Sequence, residues 1–336
     1  MAGKRPIDLK RESAKSFTLN FQDDGTPIME MLTINHTLVL ITKKGVYENK
    51  LADHIDPKRE NPDLPPIVQQ RVLEIGADSE FIGRILLTAN TLFQKGLRAF
   101  FSNLIDLQEA LSFSYEILKE IAVMDTLAKQ YKRDEEKAIE VAKNSKGSFA
   151  SPSIGDVKSR CKTFFQKADH IEQTIWDMIR LFYPELKAKG HFDTLHKFIK
   201  DKYGNDDYFT IFFERALPFL KMVRNARDCL DHRNAVGVHV TDFTFLPNGK
   251  ITLPAIEIKF RDTTQPPISI ADCMPLTVQS MVNFVEDLMA FLCSKHLQSF
   301  CGVSIQVGIM PEERRRNKYV QYGYWTNLVG TFTPIG

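Results

Sequence analysis

Between about residue 78 and residue 232, apolar residues recur at the spacing of an α-helix. The clearest series steps by four and three without a break through Phe164, Ala168, Ile171, Ile175, Met178 and Phe182. Shorter series cover residues 82–93 and 104–121. This spacing puts apolar side chains on one face of each helix, and such faces pack against one another in globular proteins. The sequence therefore predicts four or five helices, mostly antiparallel neighbours.

The N-terminal segment has a different pattern, with alternating and β-branched residues. Residues 16–21 and 37–42 predict strands. Several prolines between residues 57 and 66 predict a connection that leads into the helices.

After His232 the period drops to two, which is typical of strands. Runs at 238–246 and 251–260 flank Pro247-Asn248-Gly249, and an Asn-Gly turn between alternating runs indicates a β-hairpin. We expect Pro254 to mark an edge strand and Pro266-Pro267 to break the chain.

The last part of the chain predicts a helix over residues 276–296 and a closing strand pair at 303–309 and 319–325. The expected fold class is thus α+β, mainly α. An antiparallel helical bundle is flanked by an N-terminal β segment and by a C-terminal β-hairpin plus helix. The predicted division is a β-leaning segment at 1–65, the bundle at 66–235, and the hairpin, helix and terminal strands at 236–336.

The composition narrows the class of protein. The formal net charge is +2 and the pI is about 8.2, so any basic binding surface must be local. The five cysteines are scattered without a CxxC pair, which is typical of reduced thiols in a cytosolic protein. The sequence has no leader-like apolar start and no run of about 18 apolar residues, so we expect a cytoplasmic protein without a membrane segment. We expect no metal and no cofactor, because zinc-ligand and glycine-rich phosphate-loop patterns are lacking.

The end of the predicted bundle carries the one constellation that indicates chemistry, Arg227-Asp228-Cys229-Leu230-Asp231-His232. An arginine can pair with a phosphate and a histidine can exchange a proton near neutral pH, so together they can cleave RNA without a metal. Random placement gives about one match to the arginine–histidine spacing, and about 0.1 when Asp or Asn must follow the arginine. A second match, Arg233-Asn234 with His239, follows directly and ranks second because it straddles the end of the helix.

Helical geometry predicts how these side chains are arranged. Spacing of four puts Arg224, Asp228 and His232 in one row, and Arg227 and Asp231 in the next. Because Arg227 borders the apolar stripe, we expect it to line a groove or to face a partner. The alternative is a surface helix end on which the same charges form salt-bridged pairs.

A helical bundle whose last helix ends in Arg, Asn or Asp, three residues and His resembles the HEPN superfamily. The stretch from Arg227 to His232 fits this form, and Arg233-Asn234 resembles the polar pair often found after the histidine. The resemblance covers roughly residues 78–235, about half of the chain, and makes the predicted bundle HEPN-like. The commonest residue after the arginine is Asn, whereas here it is Asp228, a permitted variant that adds an acid beside the phosphate site.

The resemblance implies a metal-independent endoribonuclease. His232 would activate the 2′-hydroxyl of RNA, Arg227 would hold the phosphate, and Asp228 would orient His232 or bind the ribose. We assign Arg224, Arg233 and Asn234 to RNA binding. The resemblance also implies a homodimer with the active site between the last helices, and a role in prokaryotic toxin–antitoxin or anti-phage defence, with an antitoxin protein as partner.

Two alternatives remain open at this point. A HEPN-like bundle without catalytic activity would serve RNA binding or dimerisation, or the motif would bind a partner such as an antitoxin. Four other clusters favour structural roles over sites: His191 with His196, Asp53-His54-Ile55-Asp56, Asp169-His170 on an exposed helix face, and Arg314-Arg315-Arg316 with Lys318 and Tyr319. The last of these could contact RNA phosphates, but a solvated hairpin tip is the favoured interpretation.

Overall fold

A computed structural model describes the chain at residues 5–12, 27–35, 37–102, 104–144, 151–187, 190–231, 237–248, 250–299, 302–327 and 332–335. It divides into two compact units. The β-rich unit comprises Met1–Tyr115 and Leu297–Gly336, and the helical unit comprises Glu116–His296. The expected division into segments 1–65, 66–235 and 236–336 stays a prediction.

The N-terminal part of the β-rich unit is an antiparallel sheet preceded by the short helix α1 (Pro6–Glu12). Its strands follow chain order: β1 (Ile28–Ile34), β2 (Thr37–Thr42), β3 (Val46–Leu51) and, after helix α2 (Ala52–Ile55), β4 (Ile67–Leu73). The strand expected at 37–42 is confirmed, and it is buried because three consecutive β-branched or leucine side chains, Val39, Leu40 and Ile41, are fully covered. The sequence reasoning missed β4, and the strand expected at 16–21 lies outside the described residues.

The segment after this sheet is helical, as predicted, but with an unexpected geometry. A π-helix at Ile82–Leu87 runs directly into α3 (Thr88–Leu92), and a 3₁₀-helix follows at Lys95–Phe100. The apolar residues of the predicted series at 82–93 are buried. Gly83 is required in the π-helix, because a Cβ atom there would lie 2.4 Å from the Cβ atom of Tyr319.

The helical unit is built on four helices in succession: α4 (Leu107–Asn144), which begins in the β-rich unit, α5 (Val157–Phe182), α6 (Phe192–Tyr203) and α7 (Tyr208–Asp231). The unbroken series of α5 is buried along its whole length, with no member more than 3% exposed. The predicted series on α4 begins at Leu107, since Leu104 precedes the helix and is 86% exposed.

Helix α7 passes through Pro218 without a break. A proline leaves the carbonyl four residues earlier without its helical partner. Pro218 and Glu214 are both exposed, so water can satisfy that carbonyl. The buried stripe that follows contains Leu220, Val223, Ala226 and Leu230, while Phe219, expected in it, is only half-buried.

The predicted hairpin is confirmed, and it folds as two antiparallel ladders. Its strands are β5 (Val238–Thr241), β6 (Thr244–Phe245), β7 (Ile251–Thr252) and β8 (Ala255–Phe260), with β6 paired to β7 and β5 paired to β8. Strand β9 (Thr263–Ser269) completes a sheet in the order β5-β8-β9.

Two proline-based expectations in this region were wrong. Pro254 precedes β8, which is the central strand of the sheet and not an edge strand. Pro266-Pro267 does not break the chain but lies within β9. Since β9 is an edge strand, the missing proline N–H groups cost the ladder less than they would in a central strand.

The chain then enters α8 (Ile270–His296), which begins six residues before the predicted helix. By length and composition α8 could cross a membrane, but 67% of its apolar window is buried inside the protein, as expected of a core helix. Phenylalanines of α7 and α8 form the centre of this core: the rings of Phe212 and Phe284 stack 5.3 Å apart, and those of Phe209 and Phe291 lie 5.2 Å apart.

The chain ends in the β-rich unit as a second antiparallel sheet, formed by β10 (Ser304–Ile309), β11 (Tyr322–Asn327) and β12 (Phe332–Ile335). The expected closing strand pair is therefore confirmed, with one further strand. The Tyr324 hydroxyl donates a 2.6 Å hydrogen bond to the carbonyl of Leu92, which ties this sheet to α3. The described part of the chain is thus α+β with helix predominating, as the sequence predicts.

Candidate functional site

The C-terminal half of α7 forms one wall of a cavity of about 500 Å³ in the helical unit, here called the Arg227 cavity. Arg224, Arg227 and Asp228 line it from α7. The other walls come from α5 and the start of α6 and carry Asp169, Glu172, Gln173, Trp176, Asp177, Gly190, His191 and Phe192. The sequence motif therefore borders a groove, as its position beside the apolar stripe predicts.

Arg227 is surrounded by carboxylates. Its Nε lies 3.2 Å from Asp231, its Nη1 lies 3.0 Å from Asp228, and its Nη2 lies 3.3 Å from Asp169. Burial alone would lower the pKa of Arg227, but the three carboxylates outweigh burial and raise it. The guanidinium is therefore permanently charged and fixed in place.

The same geometry leaves Arg227 able to bind a ligand. A guanidinium has five N–H donors, and each of the three nitrogens makes one ion pair with a described carboxylate. One N–H on each terminal nitrogen is not used by these three contacts. The side chain is also 32% exposed, so an acceptor in the cavity can reach it.

Asp228 is held from two sides. In addition to Arg227, its second oxygen accepts a 3.2 Å hydrogen bond from Arg261, at the turn between β8 and β9. Asn225 anchors the same turn, because its amide donates a 2.7 Å bond to the hydroxyl of Thr263. Asp228 is thus a fixed acid, positioned by the β5-β8-β9 sheet as well as by its own helix.

Asp231 completes the helix end. Besides its i,i+4 contact with Arg227, it accepts a 2.9 Å hydrogen bond from Gln166 and lies 3.2 Å from Lys162. Both of these partners belong to α5. The contacts therefore fasten the end of α7 to α5, which is a structural role.

Glu172 is the most unusual group of the cavity. It is 6% exposed, and its Oε1 has no hydrogen-bond partner among the described residues. Burial is the main cause that raises its pKa well above the usual value, with further contributions from Asp169 and Asp228, while Arg224 and Arg227 act in the opposite direction. Glu172 therefore retains its proton at a pH where an exposed glutamate is ionised.

A histidine other than the motif histidine reaches this cavity. The Nε2 atom of His191 lies 3.4 Å from the Nη2 atom of Arg224. No pattern in the sequence connects these residues, which are 33 positions apart. Gly190 allows this approach of the chain, because a Cβ atom at Gly190 would lie 2.1 Å from the ring of Trp176.

The predicted site residues fall into two groups. Arg224, Arg227 and Asp228 come together, whereas His232, Arg233 and Asn234 lie outside the described residues. The second-ranked pair, Arg233 with His239, is incomplete for the same reason, because Arg233 lies outside the described residues. Asp169 corrects an expectation: it is 9% exposed and bound to Arg227, although its position off the apolar seam of α5 predicted an exposed side chain.

The charges on the wall of the cavity are mixed. Two guanidinium groups face four carboxyl groups, those of Asp169, Glu172, Asp177 and Asp228. Because Glu172 is protonated more readily than an exposed glutamate, the wall is less acidic than this count implies. An anionic ligand would bind at the two arginines, where Arg227 still has N–H groups that its contacts with the three carboxylates do not use.

The other candidate clusters have structural explanations. Asp53 pairs with Arg59 at 2.8 Å, and Asp56 accepts backbone hydrogen bonds from Glu60 and Asn61, which is the turn that the sequence favours. Within the described ranges there is no group of three or more metal-ligating side chains. Cys161, Cys229, Cys273 and Cys293 are free and buried.

Comparison of the chain with known protein families, with curated proteins and with solved structures found no match.

Proposed function

We propose that the helical unit is a HEPN-type bundle and that the protein is a metal-independent endoribonuclease, with Arg227, Asp228 and His232 at its centre. One observation carries this proposal. Arg224, Arg227 and Asp228 share the wall of a cavity of about 500 Å³, within the size range of small-molecule pockets, at the helix end that leads into His232.

The chemistry follows from what RNA provides. His232 would take the proton of the 2′-hydroxyl, and the oxygen would form a bond to the adjacent phosphorus while the bond from phosphorus to the 5′-oxygen breaks. The leaving 5′-oxygen takes up a proton, and the products are a 2′,3′-cyclic phosphate and a 5′-hydroxyl. No metal, oxidant or cofactor enters this reaction.

The arginines would supply the positive charge. The uncommitted N–H groups on the two terminal nitrogens of Arg227 suit two oxygens of one phosphate, and the carboxylates that hold the guanidinium remove the cost of ordering it. Arg224, Arg233 and Asn234 would contact the RNA around the scissile phosphate. Asp228, fixed by Arg261, would orient His232 or accept a hydrogen bond from the ribose.

The remaining family properties are also proposals for this chain. We propose a cytoplasmic homodimer in which the two copies of α7 face each other, so that the two Arg227 cavities form one cleft. A role as a prokaryotic toxin or in anti-phage defence, with an antitoxin as partner, follows from the resemblance alone.

A second function is favoured by one specific observation, the three carboxylates around Arg227. They form the salt-bridged helix end that was the alternative interpretation of the motif from the sequence. If these carboxylates keep Arg227 from binding a phosphate, the bundle serves RNA binding, dimerisation or recognition of an antitoxin without catalysis.

Cleavage of a 5′-labelled RNA in excess EDTA separates the two functions. Wild type, Arg227→Ala and His232→Ala are compared with Arg133→Ala, which removes an exposed arginine of α4 and is the matched control. If the protein is a ribonuclease, wild type and Arg133→Ala cleave the RNA at the same rate. Arg227→Ala and His232→Ala each cleave it about 100-fold or more slowly. Cleavage that is equal in all four proteins, or absent in all four, excludes the catalytic function.

A further inference from the structure

The β-rich unit contains a second basic cavity that is unrelated to the motif on α7. The segment between β10 and β11 carries Arg314, Arg315 and Arg316 in succession. All three line a cavity of about 160 Å³, here called the triple-arginine cavity, together with Asn90 and Thr91 of α3 and with Gln94, two residues after its end. The sequence favoured a solvated hairpin tip for these arginines, and Arg314 and Arg316 are indeed exposed, while Arg315 is half-buried.

The described side chains that line this cavity do not balance its positive charge. Glu30 is the single carboxylate on its described wall, against three guanidinium groups. Glu312 and Glu313 precede the arginines in sequence, but neither lines the cavity. This differs from Arg227, which has three carboxylate partners. Three adjacent cations around one space are stabilised by an anion.

The segment that bears the arginines is also fixed. Arg315 donates through Nε to the carbonyl of Met310 at 2.9 Å and through Nη1 to the carbonyl of Lys318 at 3.5 Å. Asn317 donates to the carbonyl of Ala77 at 2.8 Å, which attaches the segment to the start of the π-helix region. Carbonyl acceptors hold a guanidinium in place without neutralising it, so its charge stays available to a ligand.

The size and the lining define the ligand. A volume of 160 Å³ corresponds to roughly five water molecules, which is enough room for one phosphate group. Asn90 and Gln94 also line the cavity, and their side-chain amides can donate hydrogen bonds to the remaining oxygens. A terminal phosphate has about −2 charge and three acceptor oxygens, which matches clustered arginines better than an internal phosphodiester.

We infer that the triple-arginine cavity binds a terminal phosphate group, that is, a phosphomonoester. The base, sugar or chain attached to it would extend from the mouth of the cavity into solvent. Free inorganic phosphate, a mononucleotide and the 5′-phosphorylated end of an RNA share this chemistry. The inference does not depend on ribonuclease activity at Arg227.

Isothermal titration of the full chain tests this inference with three probes: inorganic phosphate, adenosine monophosphate, and a short RNA with either a 5′-phosphate or a 5′-hydroxyl. The variant is the double substitution Arg314→Gln, Arg316→Gln, because both side chains are exposed and Arg315 holds the segment together. Arg133→Gln, which changes an exposed arginine of α4, is the matched control.

We expect at least one phosphomonoester to bind to wild type with a Kd below about 1 mM. The double variant should bind it about tenfold or more weakly, and Arg133→Gln should bind it as wild type does. Which probe binds most tightly identifies the source of the phosphate. If no probe binds at concentrations of about 10 mM, or if the double variant binds as wild type does, the inference is overturned. A circular dichroism spectrum of the double variant that matches wild type excludes misfolding as the cause of lost binding.

Discussion

Replacing Glu172 by glutamine should change how the stability of the protein depends on pH. Glu172 is 6% exposed and its Oε1 has no hydrogen-bond partner in the described parts of the chain. Burial is the main cause of its raised pKa. Glutamine has nearly the same shape and carries no titratable proton, so the substitution removes the titration with little change in packing.

The sign of the effect follows from proton linkage. Below the pKa of glutamate in the unfolded chain, both states carry the proton, and the contribution of Glu172 to stability is fully present. As the pH rises, the unfolded state loses its proton first, so the free energy of unfolding of wild type falls. The slope for one group is about 1.4 kcal/mol per pH unit, until the pH passes the pKa in the folded state. The variant lacks this loss.

The assay is chemical denaturation of wild type and Glu172→Gln at several pH values from about 5 to 8. It is followed by the fluorescence of the two tryptophans, of which Trp176 lines the same cavity. We expect the variant to gain stability over wild type by about 1.4 kcal/mol for each pH unit in the lower part of this range. Glu140→Gln, at an exposed position of α4, controls for the loss of a carboxyl group. A difference between variant and wild type that does not change with pH would refute the reasoning, because Glu172 would then titrate alike in both states.

Three further predictions concern single contacts. Asp169→Asn should lower the free energy of unfolding by about 1–3 kcal/mol, because it weakens a partly buried partner of Arg227; Asp177→Asn, on the same helix but exposed, should stay within about 0.5 kcal/mol of wild type, and equal effects would contradict the assignment. Gly83→Ala should destabilise by about 1–3 kcal/mol in thermal denaturation, since its Cβ would overlap Tyr319 at 2.4 Å, whereas Gly96→Ala has nothing within 4 Å and should be neutral. His296→Phe should make the protein less sensitive to acid. Burial lowers the pKa of His296 from 6.5 to about 4, so wild type loses stability as the pH falls through this range. If the melting temperature falls equally in both proteins between pH 7 and pH 5, this prediction is contradicted.

The helices and the hairpin could be predicted because their signals are local. The α5 series from Phe164 to Phe182 fixes one buried face by spacing alone, and Asn248 with its neighbours marks a turn between alternating runs. The predictions from proline were wrong because the position of a strand within its sheet decides whether a proline is tolerated. Pro266-Pro267 is tolerated because β9 lies at a sheet edge, and nothing in the local sequence shows which strand will be the outer one.

The candidate site was predictable only along α7. Arg224, Arg227 and Asp228 are placed together by helical spacing, and the structure agrees. Asp169 and Glu172 come from α5, more than 50 positions away in the sequence, and their roles depend on burial and on which helix packs beside which. The position of a carboxyl residue off the apolar seam predicts that it is exposed. Its burial depends on arginines of another helix, and only the packing of the helices brings these close.

The most direct test of the proposed function uses the nucleophile that only RNA carries. A 5′-labelled RNA and the same sequence with 2′-O-methyl groups at every position are incubated with wild-type protein in excess EDTA, and the ends of the products are identified. We expect the RNA to be cleaved to fragments that end in 2′,3′-cyclic phosphate and the methylated strand to stay intact. Cleavage of both strands, or of neither, would contradict a metal-independent ribonuclease that relies on Arg227 and His232.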